Sequence, residues 1–175
     1  LGDPDTANEI ATALRKREQD PHAAAWADVL HAAGGAGAGR PSATRVVEIA
    51  QSAVEQYPDS AYLHDYLAEA YHHVGETRQA LSAWQRAIAL RPIWPRPHIR
   101  RSQMLLTTGD TKAALLEAQI AAKLAPQNAD AIVTWVYARA ANLDGDTDDS
   151  VDAVLADIDK FRKLVPAEEQ TLRLK

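Results

Sequence analysis

An all-α fold of stacked helix hairpins is what this 175-residue sequence predicts, and three observations carry that expectation. Residues 61–94 are repeated at 95–128 as one unit of period 34. Within each unit the apolar residues recur at helical spacing, glycine and proline fall at matching offsets, and no stretch reads as a strand. Aromatics are scarce at 6%, with a single Phe, while alanine is abundant, so helices can approach closely. A fixed-period array buries its apolar faces by stacking neighbouring units. Its expected work is to hold another molecule rather than to transform one.

The elements follow in order. Thr6-x-x-Glu9 forms a capping box, and a terminal capping helix over 1–19 ends before Pro21. Residues 20–60 read as a degenerate hairpin. Trp26-Ala27, Leu30 and Gly34 stand at the spacing of Leu67-Ala68, Tyr71 and Gly75, which puts a first helix at 22–33. The second helix is expected at 43–57 behind Ser42 as N-cap, with Val46, Ala50, Ala53 and Pro58 matching Ala80, Trp84, Ala87 and Pro92. Between them, Gly34 to Pro41 makes an inserted flexible loop.

The unit at 61–94 is the clearest. Its first helix is predicted over 61–74, with Gly75 ending it at a position suited to positive φ. The second is predicted over 77–90, with Ala80, Leu81, Trp84, Ala87 and Ile88 as its apolar stripe. Ala80 is small because the two helices cross there, and Pro92 closes the unit. The unit at 95–128 keeps this logic through Leu105, Gly109, Ala114, Ala118, Ala121 and Pro126. A divergent unit spans 129–166. Ile132, Trp135-Val136 and Arg139 lie on its first helix, and an aspartate-rich insertion occupies 144–149. Val151, Val154, Leu155, Ile158, Phe161 and Leu164 form the stripe of its second helix, and residues 167–175 begin one more.

In these positions the chain resembles the tetratricopeptide (TPR) family, whose pattern is W-x2-L-G-x2-Y, then A-x3-F, then P. The first copy matches with Leu67-Ala68, Tyr71, Ala80, Trp84, Ala87 and Pro92, and the resemblance extends more weakly over 20–60 and 129–166. It implies a TPR-type solenoid of antiparallel helix hairpins, an α-α superhelix in which all six segments form one domain. The pattern is broken at Arg101, where the family places a large apolar residue. Either Arg101 lays its stem over the core and reaches water or a carboxylate on a neighbouring helix, or it is a ligand-facing charge. Trp26, Trp84 and Trp135 align with apolar places and are expected in the core.

Site chemistry is mostly excluded. The glycine stretch lacks the Lys-Ser/Thr of a phosphate loop, since Arg40-Pro41 follow Gly39, and no strand precedes it. Asp144, Asp146 and Asp148 share the first ligand spacings of an EF-hand. Asp149 replaces the turn glycine and Leu155 the bidentate glutamate, leaving a solvated loop or a weak calcium site. His72 and His73 are adjacent on a helix and diverge by about 100°. His64 and His98 occupy the same place in successive units, which points to packing between helices. There is no Cys and no HExxH. No catalytic residue, no metal site and no cofactor is expected.

The resemblance also implies a binding face, because the first helix of each TPR hairpin lines the concave side. By that carry-over the partner-binding residues are Tyr62, Asp65, Glu69, His72 and His73 in the central unit, then Arg96, Ile99, Arg100 and Gln103, then Asp130 and Tyr137. Trp94, in a stiff proline elbow beside Arg96, either joins this face as a hot spot or packs between hairpins. The best-known subset of the family grips a C-terminal carboxylate with Lys, Asn and Arg. Here the matching places hold Asp65 and Glu69, Arg100, then Asp130 and Thr134, so that clamp is absent.

The expected function is a protein- or peptide-binding scaffold with no catalysis of its own, for a partner of mixed charge. The alternatives are a self-assembly module that forms a homodimer, or the TPR portion of a larger bacterial enzyme or secretion machine. Net charge is −5, with a basic excess only over 93–128, too little for nucleic acid. No apolar run nears the roughly 20 residues of a membrane span. A soluble chain is expected, in the cytoplasm or a bacterial periplasm. Leu1 in place of Met is compatible with a processed chain or a piece of a longer array.

Overall fold

A computed structural model of the protein describes residues 43–143, together with Asp152, Ala156 and Asp159. The expected helices at 1–19 and 22–33, Trp26, the glycine-rich loop, the aspartate-rich insertion and the segment 167–175 lie outside the described residues. Asp152, Ala156 and Asp159 are helical and exposed, as residues off the predicted apolar stripe should be.

The described chain forms α1 (Ala43–Gln56), α2 (Ala61–His73), α3 (Thr77–Leu90), α4 (Pro95–Thr107), α5 (Thr111–Leu124) and α6 (Ala129–Ala140). No strand occurs among the described residues. The helices start in strict 34-residue register: 43, 77 and 111 for α1, α3 and α5, and 61, 95 and 129 for α2, α4 and α6. The register holds even for α1, in the degenerate unit. They belong to two compact units that meet in sequence at Arg91 and Pro92.

Local chemistry sets these boundaries. Ser60, Asp110 and Asn128 cap α2, α5 and α6, each side chain accepting from a backbone N–H three residues on. Pro95 opens α4 at a position where a missing N–H costs nothing. Gly75 and Gly109 end α2 and α4 with φ of 81° and 84°. At each, two backbone bonds close a Schellman motif: Gly75 N to His72 O and Glu76 N to Tyr71 O, then Gly109 N to Leu106 O and Asp110 N to Leu105 O.

In the first unit α2 packs between α1 and α3. Its core is Val47, Ala50 and Ala53 from α1, Leu63, Leu67 and Ala68 from α2, and Ala80, Trp84 and Ala87 from α3. Trp84 is fully enclosed. In the second unit α4, α5 and α6 all touch one another. Ile99, Ala121 and Ala131 meet there, one from each helix. Ala80 and Ala114 are both completely buried, as expected where helices cross. Ser102 takes the place of Ala68 and donates from its hydroxyl to the Ala114 carbonyl at 2.8 Å, tying α4 to α5. Asn142 donates to both the Thr111 and Ala138 carbonyls at 2.7 Å, fastening the end of α6 to the start of α5. Trp135 is half-buried, with its indole N–H enclosed.

Candidate functional site

Two histidines 34 residues apart make the same bond. His64 Nε2 donates to the Pro58 carbonyl at 2.8 Å, and His98 Nε2 donates to the Pro92 carbonyl at 3.0 Å. Each proline closes the preceding repeat, so each histidine latches the start of a first helix onto the turn before it. Burial pulls His64 below its ordinary value, opposed by the hydrogen bond to Pro58 and reinforced by the Arg86 charge.

Beyond the latch the two units diverge. His98 Nδ1 lies 2.6 Å from Glu117 Oε2, and Arg101 donates to the other carboxylate oxygen. The three groups form a nearly buried polar cluster between α4 and α5. Burial alone would push the Glu117 carboxyl up. The His98 hydrogen bond and the Arg101 charge outweigh it and hold the group below the usual carboxylate value. Arg101 thus reaches a carboxylate on the neighbouring helix, the first of its two sequence-level alternatives.

One repeat earlier the places of Arg101 and Glu117 are held by Leu67 and Ala83. These short apolar residues leave a groove of about 700 Å³ between α2 and α3. Its floor is His64, Leu67 and Ala83, all buried, and its walls are Tyr71, Arg78, Gln79, Ser82 and Arg86. Arg78, Ser82 and Arg86 are spaced four apart and share one side of α3. The Tyr71 hydroxyl accepts from Gln51 on α1 at 2.7 Å. No carboxylate lines the groove among the described residues, and exposed Asp59 lies 3.6 Å from Arg86.

The twelve residues expected on the first-helix face are distributed unevenly. In the first unit Tyr62, His72 and His73 are exposed, whereas Asp65 is wholly buried and Glu69 nearly so. Tyr62 accepts from the Arg91 guanidinium, which also lies over its ring at 5.3 Å. The His72 and His73 rings are 5.7 Å apart, and His72 stands 6.2 Å from the Trp84 ring. No cluster able to hold a metal occurs among the described residues.

In the second unit Ile99 is core, and Trp94 and Arg96 are half-buried at the start of α4. Arg100, Asp130 and Tyr137 are exposed, Tyr137 at 66%. Arg100 donates to Gln103 Oε1 at 3.3 Å. Gln103 in turn donates to Thr134 Oγ1 at 3.1 Å, linking α4 to α6. Arg100, Gln103 and α6 are thereby brought together. The groove in the first unit was missed at sequence level. Its signal was present in the repeat alignment, where Leu67/Ala83 become Arg101/Glu117 together.

No protein-family model matches the sequence, and no curated protein matches it as a relative. Solved structures do match. A crystal structure of MamA protein has a TM-score of 0.67 at 16% identity, covering 97% of this chain and 94% of that one. A MamA structure designated MSR-1 gives 0.64 at 17%, covering 95% of each chain. One designated AMB-1 gives 0.66 at 16%, covering 92% of this chain and 96% of that one. At such identities the likeness carries the fold alone. With the strict 34-residue register, it establishes an all-α, TPR-type solenoid of antiparallel helix hairpins.

Proposed function

We propose that this chain is a protein- or peptide-binding scaffold of the TPR kind, without catalysis of its own. The observation that carries it is the face of the second unit where α4 and α6 lie side by side, linked by Gln103 and Thr134. Arg100, Asp130 and Tyr137 are exposed on these two helices. Tyr and Arg are enriched at interfaces, and with Asp130 they present both signs of charge, which suits a partner of mixed charge. Asp65 and Glu69, buried as they are, supply no part of this face, so Asp130 provides its acid. No helix among the described residues is long and apolar enough to cross a membrane.

The test is affinity capture from the host's lysate by the wild-type chain and an Arg100→Glu/Tyr137→Ala variant. Clients kept by wild type and lost by a variant of equal thermal stability support the scaffold. Equal retention by both places the binding face elsewhere.

A second reading, self-association, is favoured by Leu116, Ile120 and Leu124 on α5. They are exposed at 63%, 41% and 37% and recur every fourth residue, forming an apolar stripe on one side of the helix. Light scattering across a range of concentrations tests it. A mass that rises with concentration, and no longer rises in Leu116→Glu, supports pairing through this stripe. A constant monomer removes it.

A further inference from the structure

The groove between α2 and α3 is a repeat position left open on one side of the chain and filled on the other. His64 and His98 carry the same latch to a proline carbonyl, so their rings are held in the same way. In the second unit His98 Nδ1 is met by Glu117 of α5. In the first, the residue at that place is Ala83, and among the described residues His64 Nδ1 has no hydrogen-bond partner. The apolar floor of Leu67 and Ala83 is flanked by Arg78 and Arg86. Arg86 is shared with exposed Asp59, a solvent-screened pair that yields readily to a better one.

We propose that this groove takes a glutamate-bearing peptide segment of a protein partner, its carboxylate entering the place that Glu117 fills in the next repeat. The proposal rests on the scaffold reading and names a second binding face for it. The apolar floor receives the side chains flanking the glutamate, and the two guanidinium groups supply charge-assisted hydrogen bonds. His64 completes the site by adding a proton at Nδ1. The charged groups acting on that ring are Arg86 from α3 and Asp59 from the turn before α2, while Arg78 from α3 and Tyr71 from α2 line the same groove. The incoming carboxylate favours the protonated ring, so binding tightens as pH falls.

The experiment uses the full chain and a fluorescein-labelled peptide of alternating Glu and Leu, read by anisotropy, with a Gln-Leu peptide as control. The Glu-Leu peptide binds at least about tenfold more tightly than the control, and more tightly at about pH 6 than at about pH 8. Arg78→Gln/Arg86→Gln, two exposed changes that leave the core intact, weakens it by about tenfold or more. Leu67→Arg/Ala83→Glu, which copies the second repeat into the first, abolishes binding by supplying the carboxylate from within. Equal binding of the two peptides, pH-independent binding, or undiminished binding by either variant would overturn the proposal. If lysate clients are still captured by wild type while the Glu-Leu peptide is ignored, the groove assignment falls and the scaffold remains. Peptide binding without any captured client would instead spare the groove and remove the α4–α6 face from the reading.

Discussion

Replacing Glu117 by Ala removes the acceptor shared by Arg101 and His98 while leaving the Arg101 charge and the N–H groups of both between α4 and α5. Breaking a fully buried pair in this way costs about 3–5 kcal/mol. Here the side chains of Glu117 and Arg101 keep 14% and 20% of their exposure, so water relieves part of the loss and about 2–3 kcal/mol is expected. For a chain of this length that lowers Tm by roughly 5–10 °C. Arg101→Leu alone leaves Glu117 with His98 as its remaining partner, at about 1–2 kcal/mol. The double variant Arg101→Leu/Glu117→Ala recreates the Leu67/Ala83 pair that the first unit already tolerates. Its stability should return to within about 1 kcal/mol of wild type, since buried pairs exchange for apolar residues at little net cost. Urea unfolding of the four proteins, followed by circular dichroism at neutral pH, measures the cycle. A double variant whose loss equals the sum of the two single losses would refute the coupling, and with it the claim that these residues act as one unit.

Three further outcomes follow from the same structure. Gly75→Ala and Gly109→Ala should each cost about 1 kcal/mol in urea unfolding through backbone strain alone, because φ is positive and a Cβ there meets nothing within 4 Å. Ala114→Leu should cost about 1–3 kcal/mol by prying α4 from α5, whereas Leu at exposed Lys112 should change the urea midpoint little. Acidification should lower the urea midpoint in two stages. His64, held by burial below its ordinary 6.5, contributes stability that is present above about that pH and lost as pH falls through its depressed folded value. For Glu117, burial is outweighed by His98 and Arg101, so its contribution is present above about 4.5 and lost at lower pH still. His64→Phe should flatten the upper stage and leave the lower one, and a profile unchanged by that substitution would count against the His64 assignment.

Among the described residues, the sequence by itself determined the elements and their register. The predicted second helix of the central unit, 77–90, is α3 as observed. Gly75 takes positive φ as its place after the first helix requires, and Ala80 is buried where the helices cross. These are legible because they are local. A cap, a C-terminal glycine, a proline and a stripe of period 3.6 act within a few residues, and the 34-residue repeat copies them down the chain.

Tertiary structure alone decided which polar residues go inside. The TPR resemblance, carried over by spacing, assigned Asp65 and Glu69 to the partner-binding face, yet both are enclosed. Whether a charge can be enclosed depends on groups brought to it from other helices, and a linear pattern does not show their approach. Arg101 is the complementary case: its partner Glu117 sits 16 residues away on the next helix. The same pairing, absent where Leu67 and Ala83 stand, opens the groove between α2 and α3. Helical period sets which residues share a stripe. The crossing of two helices, and the size of the side chains at that crossing, sets whether the stripe closes into core or leaves a site.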